Sequence, residues 1–117
     1  MNQEKFPVNA HQLYHAHVYY NKATLAQATS LCEEAKIRFG AEMGRLHKKR
    51  VGPHPHWSCQ LAFDSGQFAG LISWLEAHRQ GLSILVHGVT GDDLKDHTEH
   101  AYWLGESSPL NLALFGG

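Results

Sequence analysis

An α+β domain is predicted by three features of the sequence. Residues 13–20 alternate in polarity as a half-buried strand does, and two stretches, 24–39 and 66–81, carry apolar residues at helical three-and-four spacing. Strand-like and helix-like segments also interleave, in the order β-α-β-β-α-β. At 117 residues the chain has room for one packed core, so residues 1–117 read as a single domain.

Each element has its own signal. Leu13 to Tyr20 puts Tyr14, Ala16 and Val18 on one side and His15, His17 and Tyr19 on the other. Thr24 to Phe39 repeats Leu25, Ala28, Leu31, Cys32, Ala35 and Phe39 along one stripe, and Gly40 is a natural helix stop. Gly44 to Val51 and Trp57 to Phe63 read as a hairpin, because the two prolines in Gly52-Pro53-His54-Pro55 exclude a continuous ladder. Phe68, Leu71, Ile72 and Leu75 mark the second helix, and Leu82 to Val89 is a β-branched, apolar final strand. Beyond residue 90 come a Thr-Gly-Asp-Asp turn, a short helix within 94–104, and an apolar tail from Pro109 to Phe115. That tail reads as a further strand or an arm onto a second subunit, which predicts a homodimer. Residues 1–11 and the closing Gly-Gly are the loosest parts.

The element order is that of the ferredoxin-like, split β-α-β arrangement, an antiparallel sheet in order 4-1-3-2 with both helices on one face and the other face open. The open face then receives His15, His17 and Tyr19 from the first strand, and Arg45, His47 and Lys49 from the second. Ser58 and Gln60 come from the third, and Ser83, Leu85 and His87 from the fourth.

Composition narrows the function. Ten basic residues against 11 acidic ones give a net charge of −1, so no global field draws the chain to nucleic acid or an anionic membrane. No apolar run approaches membrane-span length, and the N-terminus lacks the pattern of a secretory leader. Two cysteines, Cys32 and Cys59, are too few for a disulfide framework and fall at core positions, which predicts inert thiols and a cytoplasmic location. The unusual number is ten histidines.

His15 and His17, two apart on one strand face, sit about 7 Å apart at Cα and can converge on one ion. Paired antiparallel with its ends aligned, the last strand puts His87 opposite His15 and supplies a third nitrogen. Such a site suits Fe(II), Zn or Mn. The carboxylate often found beside two histidines on iron is missing from this face, and only Asp96, Glu99 or Glu106 could reach it. A solitary histidine on a strand face is usually just solvated, and His11, His78 and His100 earn no more than that; His56 is a weaker candidate than His54. Arg45 is a solvated cation or, beside a metal, a clamp for a substrate carboxylate. Tyr14, Tyr20, Trp57 and Trp74 fit core or interface better than substrate stacking. Tyr19 fits there too, but it shares the phase of His15 and His17 and is a candidate substrate contact.

Several segments in one order carry a resemblance. Tyr14-His15-Ala16-His17-Val18-Tyr19, Gly44-Arg45-Leu46-His47, Val51-Gly52-Pro53-His54-Pro55, Gly81-Leu82-Ser83-Ile84-Leu85-Val86-His87, Thr90-Gly91-Asp92-Asp93, Asp96-His97-Thr98 and Trp103-Leu104-Gly105 together resemble the DOPA 4,5-dioxygenase family. Gly88 departs from the proline common there. The resemblance implies a ferredoxin-like fold that pairs into a dimeric α+β barrel. It also implies a non-haem iron enzyme that opens a catechol beside one hydroxyl using O₂, with L-DOPA as the model substrate. It places family histidines at His15, His17, His47, His54, His87 and His97. On this reading His15, His17 and His87 hold Fe(II), a position zinc or another divalent metal can also take. His47 and His54 move protons, His97 closes the pocket, and Arg45 or Lys49 anchors the substrate tail. A non-catalytic metal- or ligand-binding module and a cofactor-free monooxygenase of the α+β barrel type are the competing readings.

Overall fold

The computed structural model describes residues 7–115, so residues 1–6 and the closing Gly-Gly lie outside the described residues. A five-stranded sheet runs in the order β2-β3-β1-β4-β5. Its strands are β1 (Leu13–Tyr20), β2 (Glu42–Met43), β3 (Trp57–Asp64), β4 (Ile84–Gly88) and β5 (Ala101–Leu104), and all neighbours are antiparallel. Helices α1 (Leu25–Phe39) and α2 (Ser65–His78) pack on one face, and a short helix α3 (Asp93–Asp96) precedes β5. Among the described residues no helix is long and apolar enough to cross a membrane.

The main core lies between that face and the two long helices. Alternation along β1 and β3 sends Tyr14, Ala16, Val18, Cys59, Leu61 and Phe63 into it, where they meet Ala28, Leu31, Cys32 and Ala35 of α1 and Phe68, Leu71 and Leu75 of α2. Helix α1 stops where Gly40 turns left-handed, at φ 72°, and its N–H reaches Lys36 O. Helix α2 starts in a capping box: Asp64 accepts from the Gln67 N–H, and the Gln67 side chain accepts from the Asp64 N–H.

Three sequence expectations are corrected. Only Glu42 and Met43 form the second strand, so Arg45, His47 and Lys49 do not sit on a sheet face. Isolated bonds from Gly44 N to Gln60 O and from His47 N to Ser58 O keep the following segment beside β3. The cause is the run Lys48-Lys49-Arg50, exposed throughout, which offers no apolar alternation to bury. Residues 94–104 are not one helix, because α3 ends at Asp96 and Ala101–Leu104 pairs with β4, placing Trp103 opposite Leu85 and Leu104 opposite Ile84. Leu104 and Ile84 thereby join the main core.

The third correction concerns the face expected to be open. It is covered: His17, Tyr19 and His87 are all buried. Leu110 and Trp103 pack on a second small core of Tyr19, Leu85 and Ala101. Asn111 N bonds Pro53 O, and Leu112–Phe115 forms a 3-10 turn whose Phe115 ring stacks on His97, centroids 4.9 Å apart. Part of the apolar tail therefore folds over its own sheet, while Leu114 stays exposed.

Candidate metal centre

His15 and His17 project from β1 away from the long helices, and His87 stands directly opposite His15 in the β1–β4 register. Direct cross-strand pairs share a face, so three imidazoles meet on the middle strands. One nitrogen from each of His15, His17 and His87 lies within 4.8 Å of the others. A second group with the same spacing joins His17 to His54 and His97. His54 comes from the Gly52-Pro53-His54-Pro55 turn, where its N–H bonds Val51 O, and His97 caps the C-terminus of α3. His17 belongs to both groups.

Hydrogen bonds decide which nitrogens are available. His87 Nδ1 is 2.8 Å from Gly88 O and His97 Nδ1 is 2.8 Å from Asp93 O. A carbonyl only accepts, so in each ring Nδ1 carries the proton and Nε2 of the neutral imidazole keeps its lone pair. This is the usual support of a metal-binding histidine. His17 Nε2 and His87 Nε2 face each other at 2.9 Å. Such a contact needs one shared proton or a cation able to take both lone pairs.

The electrostatics favour the neutral rings. Burial, with His54 and His87 adding like-charge repulsion, holds His17 well below the ordinary imidazole range. Burial likewise lowers His87 to about 4, partly opposed by its bond to Gly88. His54 also falls to about 4, through burial and then the neighbouring His97 and His47. His15 is lowered by burial and by His97, with Asp96 pulling the other way. Neutral imidazoles are what a metal ion requires.

Neither histidine group contains a carboxylate. Asp96 is buried, but both its oxygens are taken by Thr90, at 2.9 Å from the backbone N–H and 2.7 Å from the hydroxyl. Glu99 and Glu106 are exposed and belong to neither group. Three neutral nitrogens fit Fe(II), Zn or Mn without choosing among them.

The remaining candidates divide clearly. His47 is half-buried and shares a cavity of about 160 Å³ with His17, His54, Ser58 and Gln60. Arg45 and Lys49 are exposed on the loop after β2 and do not line that cavity. Tyr19 is buried, and its hydroxyl lies 2.7 Å from His54 Nδ1. His56 is exposed and bonds Ser108 Oγ, and His78 bonds Trp74 O at the end of α2. His11 and His100 meet edge to face, with ring centroids 4.6 Å apart. The His11 ring stands where a Cβ at position 88 would sit, so a larger residue after His87 requires that ring to move.

Sequence reasoning missed three features: the Tyr19–His54 bond, the second group through His97, and the Phe115 cover. The apolar run Leu110 to Phe115, with no regular element to occupy, was the signal for the last.

Comparison with known proteins gives a consistent result. The profile of the Dopa 4,5-dioxygenase family matches residues 14–114. A DOPA 4,5-dioxygenase of Amanita muscaria is 36% identical over 109 residues, covering 86% of this chain and 48% of the relative. An uncharacterized 21.2 kDa protein of Botryotinia fuckeliana is 34% identical over 113 residues, 86% of this chain and 62% of the relative. The chain thus spans about half the length of the first and three-fifths of the second. The crystal structure of a protein from Nostoc punctiforme, described as a "putative dioxygenase", is similar with a TM-score of 0.87 and 39% identity over 90% of this chain and 91% of that one.

Proposed function

The chain belongs to the Dopa 4,5-dioxygenase family, and from that premise we propose that it opens the ring of a catechol, L-DOPA or a related compound, by extradiol cleavage with O₂ at a histidine-held Fe(II). The observation that carries this reading is the His15–His17–His87 group, in which a backbone carbonyl fixes the His87 tautomer and leaves its Nε2 with a lone pair, 2.9 Å from His17 Nε2. Fe(II) in that group would bind the catechol oxygens, lower their pKa and leave room for O₂. The balance closes without another reductant: one ring carbon–carbon bond breaks and both oxygen atoms enter the product.

The protein's own groups do the proton work. Among the described residues, His54 Nδ1 is the hydrogen-bond partner of the Tyr19 hydroxyl. Burial pushes the phenol's pKa up, so the hydroxyl keeps its proton, and on this reading it donates that proton to Nδ1. Donation to Nδ1 leaves the proton of neutral His54 on Nε2. His54 is therefore the proton donor of the cluster, and Tyr19 is its positioning residue. His47, across the same small cavity, is placed to receive a catechol proton. His97, held by Asp93 O and covered by Phe115, closes the centre from the C-terminal side and excludes water.

The order β2-β3-β1-β4 with α1 and α2 on one face supports a ferredoxin-like scaffold extended by β5. Two buried, unpaired cysteines suit a reducing compartment such as the cytosol. The test is to purify the chain without a histidine tag, load Fe(II) without oxygen, add L-DOPA or caffeate and admit O₂. Oxygen uptake with a yellow ring-opened product is expected; no uptake with any catechol would overturn the reading.

A further inference from the structure

The sheet register sets Glu42, Ala62, His15 and His87 in one row on the face of the histidine cluster. Directly opposed residues of antiparallel strands lie about 5 Å apart at Cα, so Glu42 stands about 10 Å from His15 with Ala62 between them. The methyl group of Ala62 keeps the row low at that point. A cavity of about 430 Å³ at this end of the sheet is lined by His15, Ala62 and Glu42, with Leu13 and Val89 as apolar walls, and it reaches round the sheet to Tyr14 and Phe63 on the helix side. His15 is half-buried, while His17 and His87 are buried, so the His15 side of the group is open to this cavity.

Glu42 is exposed and forms no ion pair among the described residues. The other carboxylate on the cavity, Asp64, is committed to the N-terminus of α2 through Gln67 N. Arg45 and Lys49, expected to anchor an acidic tail, line neither this cavity nor the one at His17. The charge at the far end of the groove is thus negative. A catechol with a two-carbon amine tail measures about 8 Å from its hydroxyls to its nitrogen, the same order as the Cα separation of about 10 Å between His15 and Glu42.

We propose that Glu42 is a specificity-determining residue that pairs with the ammonium group of the substrate, so that this protein takes catechols bearing a cationic amine in preference to catechol acids. The inference rests on the catechol reading of the same site. A carboxylate beside apolar walls forms a charge-assisted pair with an ammonium, and it repels a carboxylate tail.

Binding to the zinc-loaded protein, which cannot turn over, separates recognition from catalysis. Calorimetric titration with dopamine, 4-ethylcatechol and 3,4-dihydroxyphenylacetate compares one ring carrying a positive, a neutral and a negative tail. The expected order is dopamine tightest, by about fivefold to tenfold over 4-ethylcatechol, with the acid weakest. Glu42→Gln should reduce dopamine to the affinity of 4-ethylcatechol and leave 4-ethylcatechol and the melting temperature unchanged. Equal affinity for dopamine and 4-ethylcatechol, or a preference that survives Glu42→Gln, would overturn the role of Glu42 while leaving the catechol reading intact. Failure of all three to bind would overturn both.

Discussion

The Tyr19 hydroxyl stands 2.7 Å from His54 Nδ1, and the two side chains are buried, at 3% and 6% exposure. The contact ties the middle strand of the sheet to the proline-flanked turn that delivers His54. It also separates His54, whose Nδ1 meets a hydroxyl, from His87 and His97, whose Nδ1 atoms donate to carbonyls.

Tyr19→Phe removes the donor while keeping the ring. Turnover is expected to fall about tenfold to a hundredfold with KM little changed, as befits loss of a positioned proton donor. Metal content should remain that of the wild type, and stability should drop by about 1 kcal/mol for the lost buried bond. The ¹⁵N shifts of His54 should show its proton moving from Nε2 toward Nδ1. An unchanged tautomer with unchanged turnover would contradict the assignment.

His17 is common to both nitrogen groups, whereas His15 and His97 each belong to one. His17→Ala should therefore abolish zinc or cobalt binding in a calorimetric titration, while His97→Ala retains one ion per chain at reduced affinity. Because His17 faces away from the helix core, its loss should leave the circular dichroism spectrum of the fold intact. Full-affinity binding by His17→Ala would refute the shared ligand.

Much of this arrangement was legible in the sequence, for identifiable reasons. The alternation of Leu13 to Tyr20 assigned His15 and His17 to one face and Tyr14, Ala16 and Val18 to the other, and the antiparallel register put His87 opposite His15. Gly40 stopped α1 as expected. Period-two patterning failed at residues 44–51, where cations outnumber apolar residues. The helix expected over 94–104 failed because the bare edge of β4 recruits Ala101–Leu104 as a strand. Neither the Tyr19–His54 bond nor the stacking of Phe115 on His97 leaves a local pattern, since each joins segments far apart in the chain.

Acid should destabilise the metal-free protein. His54 and His87 are lowered to about 4 in the folded chain, against about 6.5 when unfolded. Between those values the unfolded state binds more protons, so stability rises with pH across the window, is complete above it and is lost as pH falls toward 4. Melting temperature should decline by at least about 5 °C from pH 7 to pH 5. A flat profile over that range would contradict the burial of neutral rings.

Isotope-labelled oxygen tests the central claim most directly. The Fe(II)-loaded protein is given L-DOPA under ¹⁸O₂ in a single turnover and the ring-opened product is weighed by mass spectrometry before cyclisation. Cleavage at the histidine centre predicts one O₂ consumed per catechol and both labelled atoms in the product, with His17→Ala inactive. Absence of label from the product, or product formation that persists in the metal-free chain, would contradict a metal-dependent dioxygenase.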